Sequence, residues 1–191
     1  MKKLIGIIAI LTIIFIYGCS KQPSSIKAKQ DGKPLIVMYG DFKCPYCKKV
    51  EDKVMPKLRN KYIDKNKVKF QYVNLAFIGK DSIIGSRAQQ AVNHYAPKYS
   101  LQFQKLMFEH QKDEDKKWIT HTLIDKQIDK LNISNKTKDK IKTNYKTKNS
   151  TSWKAAEKDK KLGKEHHIKQ TPTVFILSLI HISEPTRQEA I

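Results

Sequence analysis

Arginine is nearly absent from this chain of 191 residues, although lysine is abundant. Arginine occurs only at Arg59, Arg87 and Arg187, while Lys and Arg together number 38 against 18 Asp and Glu, which gives a formal net charge of +20. Base readout and planar phosphate clamps favour the arginine guanidinium, so the composition argues against a nucleic-acid partner. The lysines of residues 112–169 are instead typical of the solvated faces of helices. The anionic partners that such faces would meet are lipid or cell-wall polymer.

Long hydrophobic runs are also lacking, apart from residues 4–17. This run follows Lys2 and Lys3, and its fourteen residues fall short of the roughly 20 that a membrane-spanning helix needs. A basic start, a short apolar run and Gly18 before Cys19 are typical of an export signal. The sequence therefore predicts a domain outside the membrane, where disulfides can persist.

Residues 16–19 resemble the lipobox of bacterial lipoproteins, although Tyr17 replaces the usual small residue. The resemblance implies a signal peptide over residues 1–18 and lipidation of Cys19, with palmitate among the acyl chains. The protein would then be lipid-anchored at the extracytoplasmic face of the cell membrane. An uncleaved anchor is the alternative, and it gives nearly the same location.

Glycine and proline are scarce, with seven of each, and no internal repeat is evident. Residues 19–33 are polar, include Pro23 and Gly32 and lack hydrophobic periodicity, as a tether does. The folded part begins near Lys33 and holds about 150 residues, enough for one domain with a real core. We expect that domain to be a monomer.

Cysteine is the third scarce residue, and two of the three cysteines form Cys44-Pro45-Tyr46-Cys47. This motif follows the apolar residues 35–39 and heads a helical pattern, which favours a redox function. Free amide N–H groups and the helix dipole at a helix N-terminus stabilise a thiolate, so the pKa of Cys44 should lie below about 8.5. We expect Cys44 to be exposed and Cys47 to be shielded.

A zinc site is the main alternative for two cysteines at this spacing, but it needs two further ligands placed together. No companion pair is evident among the histidines, and we predict neither a metal nor a bound cofactor. The histidines are His94, His110, His121, His166, His167 and His181.

Hydrophobic periodicity predicts strand, helix, strand, a helical block of about ninety residues, and a last strand. The strands are expected at residues 35–39, 68–76 and 173–177. Gly163 is expected to cap the last helix of the block. The first helix is expected to bury one stripe of side chains. That stripe consists of Cys47, Val50, Val54 and Leu58.

The motif between Cys44 and Cys47, the inserted helical block and Thr171-Pro172 at the start of a later strand together resemble the disulfide oxidases of the DsbA family. The shorter stretches 39–43, 73–77 and 85–88 are similar to the membrane-tethered DsbA lipoproteins of staphylococci. The resemblance implies an α/β fold, namely a thioredoxin fold with an inserted helical domain. The implied organisation is a signal peptide (1–18), a tether (19–33), a first thioredoxin-fold part (34–78), the inserted domain (79–165), a second thioredoxin-fold part (166–177) and an aberrant tail (178–191).

The resemblance also implies the roles of four residues near the cysteines. Pro172 would be a cis-proline, which lacks an N–H and leaves the backbone at Thr171 free to pair with a substrate peptide. Thr171 would line the substrate site and tune the sulfur, and Pro45 and Tyr46 would contribute to binding and tuning. The alternative for Pro172 is a trans proline at a strand start, and for Thr171 a residue that merely favours strand.

The chain departs from this family at three points. Met38 stands where many thioredoxin-fold enzymes carry a buried acid that takes a proton from the inner thiol. Asp41 could replace that acid through water, but we expect it instead to be an exposed turn residue after Gly40. Lys43, Lys48 and Lys49 would favour the thiolate only weakly, because salt screens exposed charges. The segment 178–191 lacks the expected turn, edge strand and closing helix, so we expect an uncovered sheet face and marginal stability.

The residues and the resemblance together predict an extracytoplasmic thiol:disulfide oxidase that introduces disulfide bonds into secreted or surface proteins. Its partners would be reduced, unfolded secreted proteins and an unknown reoxidant, since no flavin or quinone motif is present. One alternative is a thioredoxin-like extracytoplasmic reductase. The other is a non-enzymatic surface lipoprotein in which Cys44 and Cys47 form a structural disulfide.

Overall fold

The computed structural model describes residues 32–177, so the predicted signal peptide, Cys19, most of the tether and the tail lie outside the described residues. None of the helices in this range is sufficiently long and apolar to cross a membrane. The elements in chain order are β1 (Leu35–Gly40), α1 (Pro45–Lys53), α2 (Met55–Leu58), a π-helical turn (Arg59–Ile63), β2 (Lys69–Asn74), α3 (Ser82–Tyr95), a 3-10 turn (Pro97–Tyr99), α4 (Ser100–Glu109), α5 (His121–Asp129), α6 (Asn135–Lys146), α7 (Thr151–Glu165) and β3 (Thr173–Leu177).

The sheet has the strand order β2-β1-β3, with β1 in the centre. β1 runs parallel to β2 and antiparallel to β3, so that Met38 lies opposite Tyr72 on one side and Val174 on the other. Every residue of β1 is buried, because both faces of this central strand are covered. The three predicted strands are therefore confirmed, and α1 supplies the crossover between the parallel pair.

The two faces of the sheet carry different cores. One face packs Met38 and Tyr72 against α1 and the helical block, in the same buried cluster as both motif cysteines. The opposite face holds a smaller cluster. Its buried members are Leu35, Val37, Tyr39, Val73 and Leu75. The period-two alternation along β1 thus assigns Met38 and Tyr39 to opposite faces.

The first helix is shorter than predicted, because it ends at Lys53 and a second helix starts at Met55. Pro56 has no N–H to donate and is suited only to the first turn of a helix. The break turns Val54 outward, with 52% of its surface exposed, and buries Met55 instead. The predicted stripe is therefore wrong at Val54.

The helical block consists of α3 to α7, and serine or threonine starts three of its helices. The side chains of Thr120, Ser134 and Ser150 accept hydrogen bonds from backbone N–H groups of α5, α6 and α7. The prediction that Gly163 caps the last helix is wrong, since α7 continues to Glu165. Gly163 is needed for a different reason: a Cβ there would collide with the side chain of Leu75.

The last strand is poorly covered in the described part of the chain. Val174, Phe175 and Ile176 are exposed, Ile176 to 69%. Within residues 32–177 no strand pairs with the outer edge of β3. This agrees with the expected uncovered apolar surface, and exposed strand edges of this kind favour aggregation.

Candidate active site

Cys44 is the N-cap residue of α1, as the motif predicts. Its backbone is extended, its N–H donates to the carbonyl of Asp41 at 3.0 Å, and its Sγ accepts a hydrogen bond from the backbone N–H of Cys47 at 3.2 Å. Pro45 occupies the first turn, where its missing N–H costs nothing. The side chain of Cys44 therefore lies at the positive end of the helix dipole.

Both cysteines are free thiols and both are buried, so the prediction of an exposed Cys44 is wrong. Cys44 is 2% exposed and Cys47 is fully buried, whereas Tyr46 is 62% exposed. Burial follows from tertiary packing, because both cysteines belong to the large buried cluster between the sheet and the helical block.

The segment before β3 reaches the cysteines from a distant part of the sequence. The Thr171–Pro172 peptide bond is cis, as the resemblance implies. The Cys44 thiol, when protonated, donates to the carbonyl oxygen of Thr171 at 3.4 Å. Thr171 also helps to lower the pKa values of both cysteines. The predicted residues thus come together in one site, while the substrate-binding roles of Pro45, Tyr46, Thr171 and Pro172 stay predictions.

The two thiols have opposite acidities. The pKa of Cys44 is lowered to about 6, chiefly because the Cys47 side chain donates a hydrogen bond to it. Burial opposes this effect, whereas Thr171 and the N–H groups of Cys47 and Tyr46 add to it. The pKa of Cys47 is raised, because its proton is held by Cys44 and because it is buried.

The reactivity of the reduced protein should follow the ionisation of Cys44. We expect alkylation by iodoacetamide to rise with pH around a midpoint of about 6, instead of the ordinary value of 9.0. The measurement is the alkylation rate and the thiolate absorbance at 240 nm between pH 4 and 10. Cys44→Ser is the control and should lose the low-pH step, and a midpoint above 8 would contradict the assignment.

The same shift makes the stability of the reduced protein depend on pH. The pKa of Cys44 is lower in the folded state than in the unfolded state, so the unfolded state binds more protons between pH 9 and pH 6. The resulting stabilisation is complete above pH 9 and is lost as the pH falls toward 6. The measurement is urea unfolding at pH 6 and at pH 9. The reduced protein should lose this stabilisation between pH 9 and pH 6, whereas Cys44→Ser should not show this loss.

Asp41 is not the exposed turn residue that we expected, because its side chain is completely buried. Its Oδ1 accepts hydrogen bonds from the Lys43 N–H at 2.9 Å and the Ser82 hydroxyl at 2.8 Å. Its Oδ2 accepts from the N–H groups of Phe77 and Ile78 at 2.8 and 3.0 Å. Asp41 therefore ties the active-site loop to the segment that enters α3.

Lys43 is also buried, contrary to the expectation of three exposed lysines around the motif. Its Nζ lies 3.0 Å from Oδ1 of Asp81, whose Oδ2 accepts from the N–H groups of Trp118 and Ile119. The ammonium group is therefore directed at Asp81, which anchors the active-site loop to the helical block. Of the other two lysines, Lys48 pairs with Asp52 and Lys49 lies over the Tyr46 ring.

Gln111 contacts the active-site loop and was missed by the sequence analysis. Its Nε2 donates to the carbonyl oxygens of Phe42 and Cys44, at 2.7 and 3.0 Å. Gln111 follows α4, so the helical block directly supports the backbone on both sides of Lys43. No local sequence signal marks this residue, because its role depends on a contact across 67 positions.

A second contact joins α1 to α4 behind Cys47. The carboxyl group of Glu51 is buried and accepts from Arg59 and from Gln104, each at 2.7 Å. Burial raises the pKa of Glu51, although Arg59 opposes this shift. Glu51 follows Cys47 by one helical turn on α1. The buried surroundings behind Cys47 therefore include polar groups as well as apolar side chains.

Within residues 32–177, no group of three or more His, Cys, Asp or Glu side chains is placed to hold a metal ion. The chemistry that the arrangement offers is that of two thiols, one acidic and one not. A thiol that ionises readily, beside a thiol that stays protonated, can open and close disulfides by exchange.

Comparisons with known proteins agree with this chemistry. The family model described as Thioredoxin matches residues 26–190. Disulfide bond formation protein D of Bacillus subtilis (strain 168) is 33% identical over 162 residues, covering 82% of this chain and 71% of that protein. A probable disulfide bond formation protein D of Bacillus cereus is also 33% identical, over 152 residues, which covers 78% and 67%.

Solved structures lead to the same family. The oxidised crystal structure of BdbD from Bacillus subtilis is 32% identical, has a TM-score of 0.67 and matches over 78% of each chain. NmDsbA1 from N. meningitidis, with 20% identity and a TM-score of 0.58 over 79% of this chain and 74% of its own, shares the fold. The chain therefore belongs to the DsbA family of thioredoxin-fold thiol:disulfide oxidoreductases.

Proposed function

We propose that this protein is an extracytoplasmic disulfide oxidase, which introduces disulfide bonds into secreted or surface proteins and is held at the membrane by lipid on Cys19. The observation that carries the oxidase assignment is the pKa of Cys44, which is lowered to about 6. A stable Cys44 thiolate favours the reduced form of the pair, and a pair whose reduced form is stabilised is a strong oxidant.

The reaction starts from the Cys44–Cys47 disulfide. A substrate thiolate attacks Sγ of Cys44, a substrate–Cys44 disulfide forms, and the electron pair of the broken bond stays on Cys47. A second substrate thiolate then attacks the substrate sulfur of this mixed disulfide, and Cys44 leaves as a thiolate. The substrate has lost two electrons and gained a disulfide, while the enzyme has gained those electrons and needs an external oxidant.

Thr171 and Pro172 give a substrate peptide a place to bind. Pro172 has no N–H, so the backbone before it can pair with an extended peptide without a competing donor. The carbonyl of Thr171 lies 3.4 Å from Cys44 Sγ, and a peptide that pairs there brings its cysteine to the reactive sulfur. Backbone pairing tolerates many sequences, which suits an enzyme that acts on unfolded chains.

The test is the reduction potential of the pair, measured by equilibration with glutathione buffers. The full chain in detergent is used with Cys19→Ala, so that only Cys44 and Cys47 report. A potential of about −120 to −180 mV is expected for an oxidase. A value of about −270 mV would overturn the oxidase assignment in favour of the reductase. Circular dichroism on the same samples checks that both redox forms are folded.

A further inference from the structure

The loop before α1 decides where the reactive sulfur of Cys44 lies. Sγ of Cys44 accepts a hydrogen bond from the N–H of Cys47 at 3.2 Å and lies 3.4 Å from the carbonyl oxygen of Thr171. Hydrogen bonds weaken steeply when their angle or distance changes, so a small movement of the Cys44 backbone alters both contacts. The part of the chain that holds this loop therefore also holds the reactive sulfur in place.

Gln111 holds the loop at two carbonyl groups. Its Nε2 donates to the carbonyl oxygens of Phe42 and Cys44, at 2.7 and 3.0 Å. A side-chain amide has two N–H bonds, which gives one for each of these acceptors. The Cys44 carbonyl also accepts from the N–H of Lys48 at 3.2 Å, whereas Gln111 is the only donor to the Phe42 carbonyl within residues 32–177. Gln111 therefore joins the reactive residue to the turn before it.

The helical block in turn fixes Gln111. The backbone N–H of Gln111 donates to the carbonyl of Phe108, in the last turn of α4, at 3.1 Å. The ring of Phe108 packs edge-on against the ring of Phe42, with the centroids 5.2 Å apart, and both side chains are completely buried. The end of α4 thus contacts Phe42 through its ring and, by way of Gln111, through its carbonyl, which leaves the loop little freedom to move.

The other anchors of the loop act on different atoms. Asp41 anchors the loop through its own carboxylate, and the Lys43 ammonium group is directed at Asp81. In the described part of the chain, Gln111 is the only side chain that hydrogen-bonds to the backbone of Cys44. Loss of its amide would leave the Asp41 and Lys43 anchors in place, so the loop should stay folded while the position of Cys44 changes.

We propose that Gln111 is a positioning residue for thiol–disulfide exchange, which holds the Cys44 carbonyl so that the Cys44 sulfur stays beside the N–H of Cys47. A thiolate is stabilised only while its donors face it, so a loop without this hold favours the protonated thiol. The reduced form of the cysteine pair is then less favoured, and the pair is a weaker oxidant. This role rests on the proposed function, in which the Cys44 thiolate is the source of the oxidising power.

Gln111→Met keeps the length of the side chain and removes both N–H bonds, and Gln127→Met is its matched control. Gln127 is buried in α5 of the same helical block, and its Nε2 donates to the carbonyl oxygen of Leu123 in its own helix at 3.3 Å. The measurements are the pH midpoint of Cys44 alkylation by iodoacetamide and the equilibrium with glutathione at pH 7. The full chain in detergent with Cys19→Ala is used for all variants, and circular dichroism checks that each variant is folded.

We expect Gln111→Met to raise the midpoint by about one pH unit, the size of one weakened hydrogen bond to a charged group. A rise of this size moves the glutathione equilibrium at pH 7 about fivefold toward the Cys44–Cys47 disulfide, because less of Cys44 is ionised in the reduced protein. Gln127→Met should leave both the midpoint and the equilibrium unchanged.

An unchanged midpoint in Gln111→Met would overturn the proposal. An equal rise in Gln127→Met would also overturn it, since the effect would then come from a general loosening of the helical block. If Gln111→Met does not fold, Gln111→Asn is the milder variant, because it keeps the amide but shortens its reach by one CH₂ group. Gln111→Asn must also raise the midpoint, and no rise in this variant would overturn the proposal.

The tests of the oxidase and of Gln111 can fail separately. The oxidase proposal is tested by the potential of the chain with Gln111 in place, whereas the role of Gln111 is tested by the difference between variants. A reductase-like potential with a raised midpoint in Gln111→Met would reject the oxidase and keep the role of Gln111. An oxidase-like potential with an unchanged midpoint in Gln111→Met would do the reverse.

Discussion

Replacing Cys44 with serine is expected to abolish thiol–disulfide exchange, whereas replacing Cys47 with serine is expected to trap substrates on the protein. Cys44 carries the sulfur that the substrate thiolate attacks and that later leaves as a thiolate, so its loss should lower turnover by at least about 1,000-fold. Without Cys47 a mixed disulfide on Cys44 cannot be released by the internal thiol and should accumulate. Oxidation of a reduced model protein and non-reducing gel electrophoresis measure the two effects.

Cys19→Ala is the control for these variants, because it removes a thiol outside the motif. It should leave exchange in detergent unchanged and accumulate no mixed disulfide. A Cys47→Ser protein that keeps full activity and traps nothing would contradict the assignment of Cys47 as the partner of Cys44 in the redox pair. Activity that persists in Cys44→Ser would contradict the assignment of Cys44 as the sulfur that the substrate attacks.

Replacing Asp41 with alanine is expected to lower the free energy of unfolding by about 3–5 kcal/mol, since it leaves four buried or partly buried donors without an acceptor. The donors are the N–H groups of Lys43, Phe77 and Ile78 and the hydroxyl of Ser82. The measurement is urea unfolding followed by circular dichroism, with the full chain in detergent. Asp41→Asn should also be destabilising, because its amide N–H₂ would face donors.

Asp52→Ala is the matched control for Asp41. Asp52 is an exposed carboxylate on α1 that pairs with Lys48 one turn away, and such pairs contribute about 0–1 kcal/mol. We therefore expect a change of less than about 1 kcal/mol for this variant. A loss of similar size in both variants would contradict the structural role of Asp41. The thiolate absorbance of Cys44 in the same samples reports whether the loop has moved.

The elements around the cysteines could be predicted because their signals are local. Proline after Cys44 and a 3.6-residue pattern after that specify a helix start, and short apolar runs specify the strands. The observed β1 and β2 differ from the predicted ranges by at most two residues at either end, and β3 does not differ. The error at Val54 arose because two local signals conflicted there, since Pro56 interrupts the apolar stripe.

The sequence by itself determined the motif, the strand and helix order and the family, because each depends on neighbouring residues or on short patterns. Only the tertiary structure decided that Cys44 is buried, that Asp41 and Lys43 point inward, and that Gln111 reaches the site. These features depend on contacts between segments that are far apart in the chain. Burial and hydrogen-bond partners are properties of the packed chain, and no local pattern encodes them.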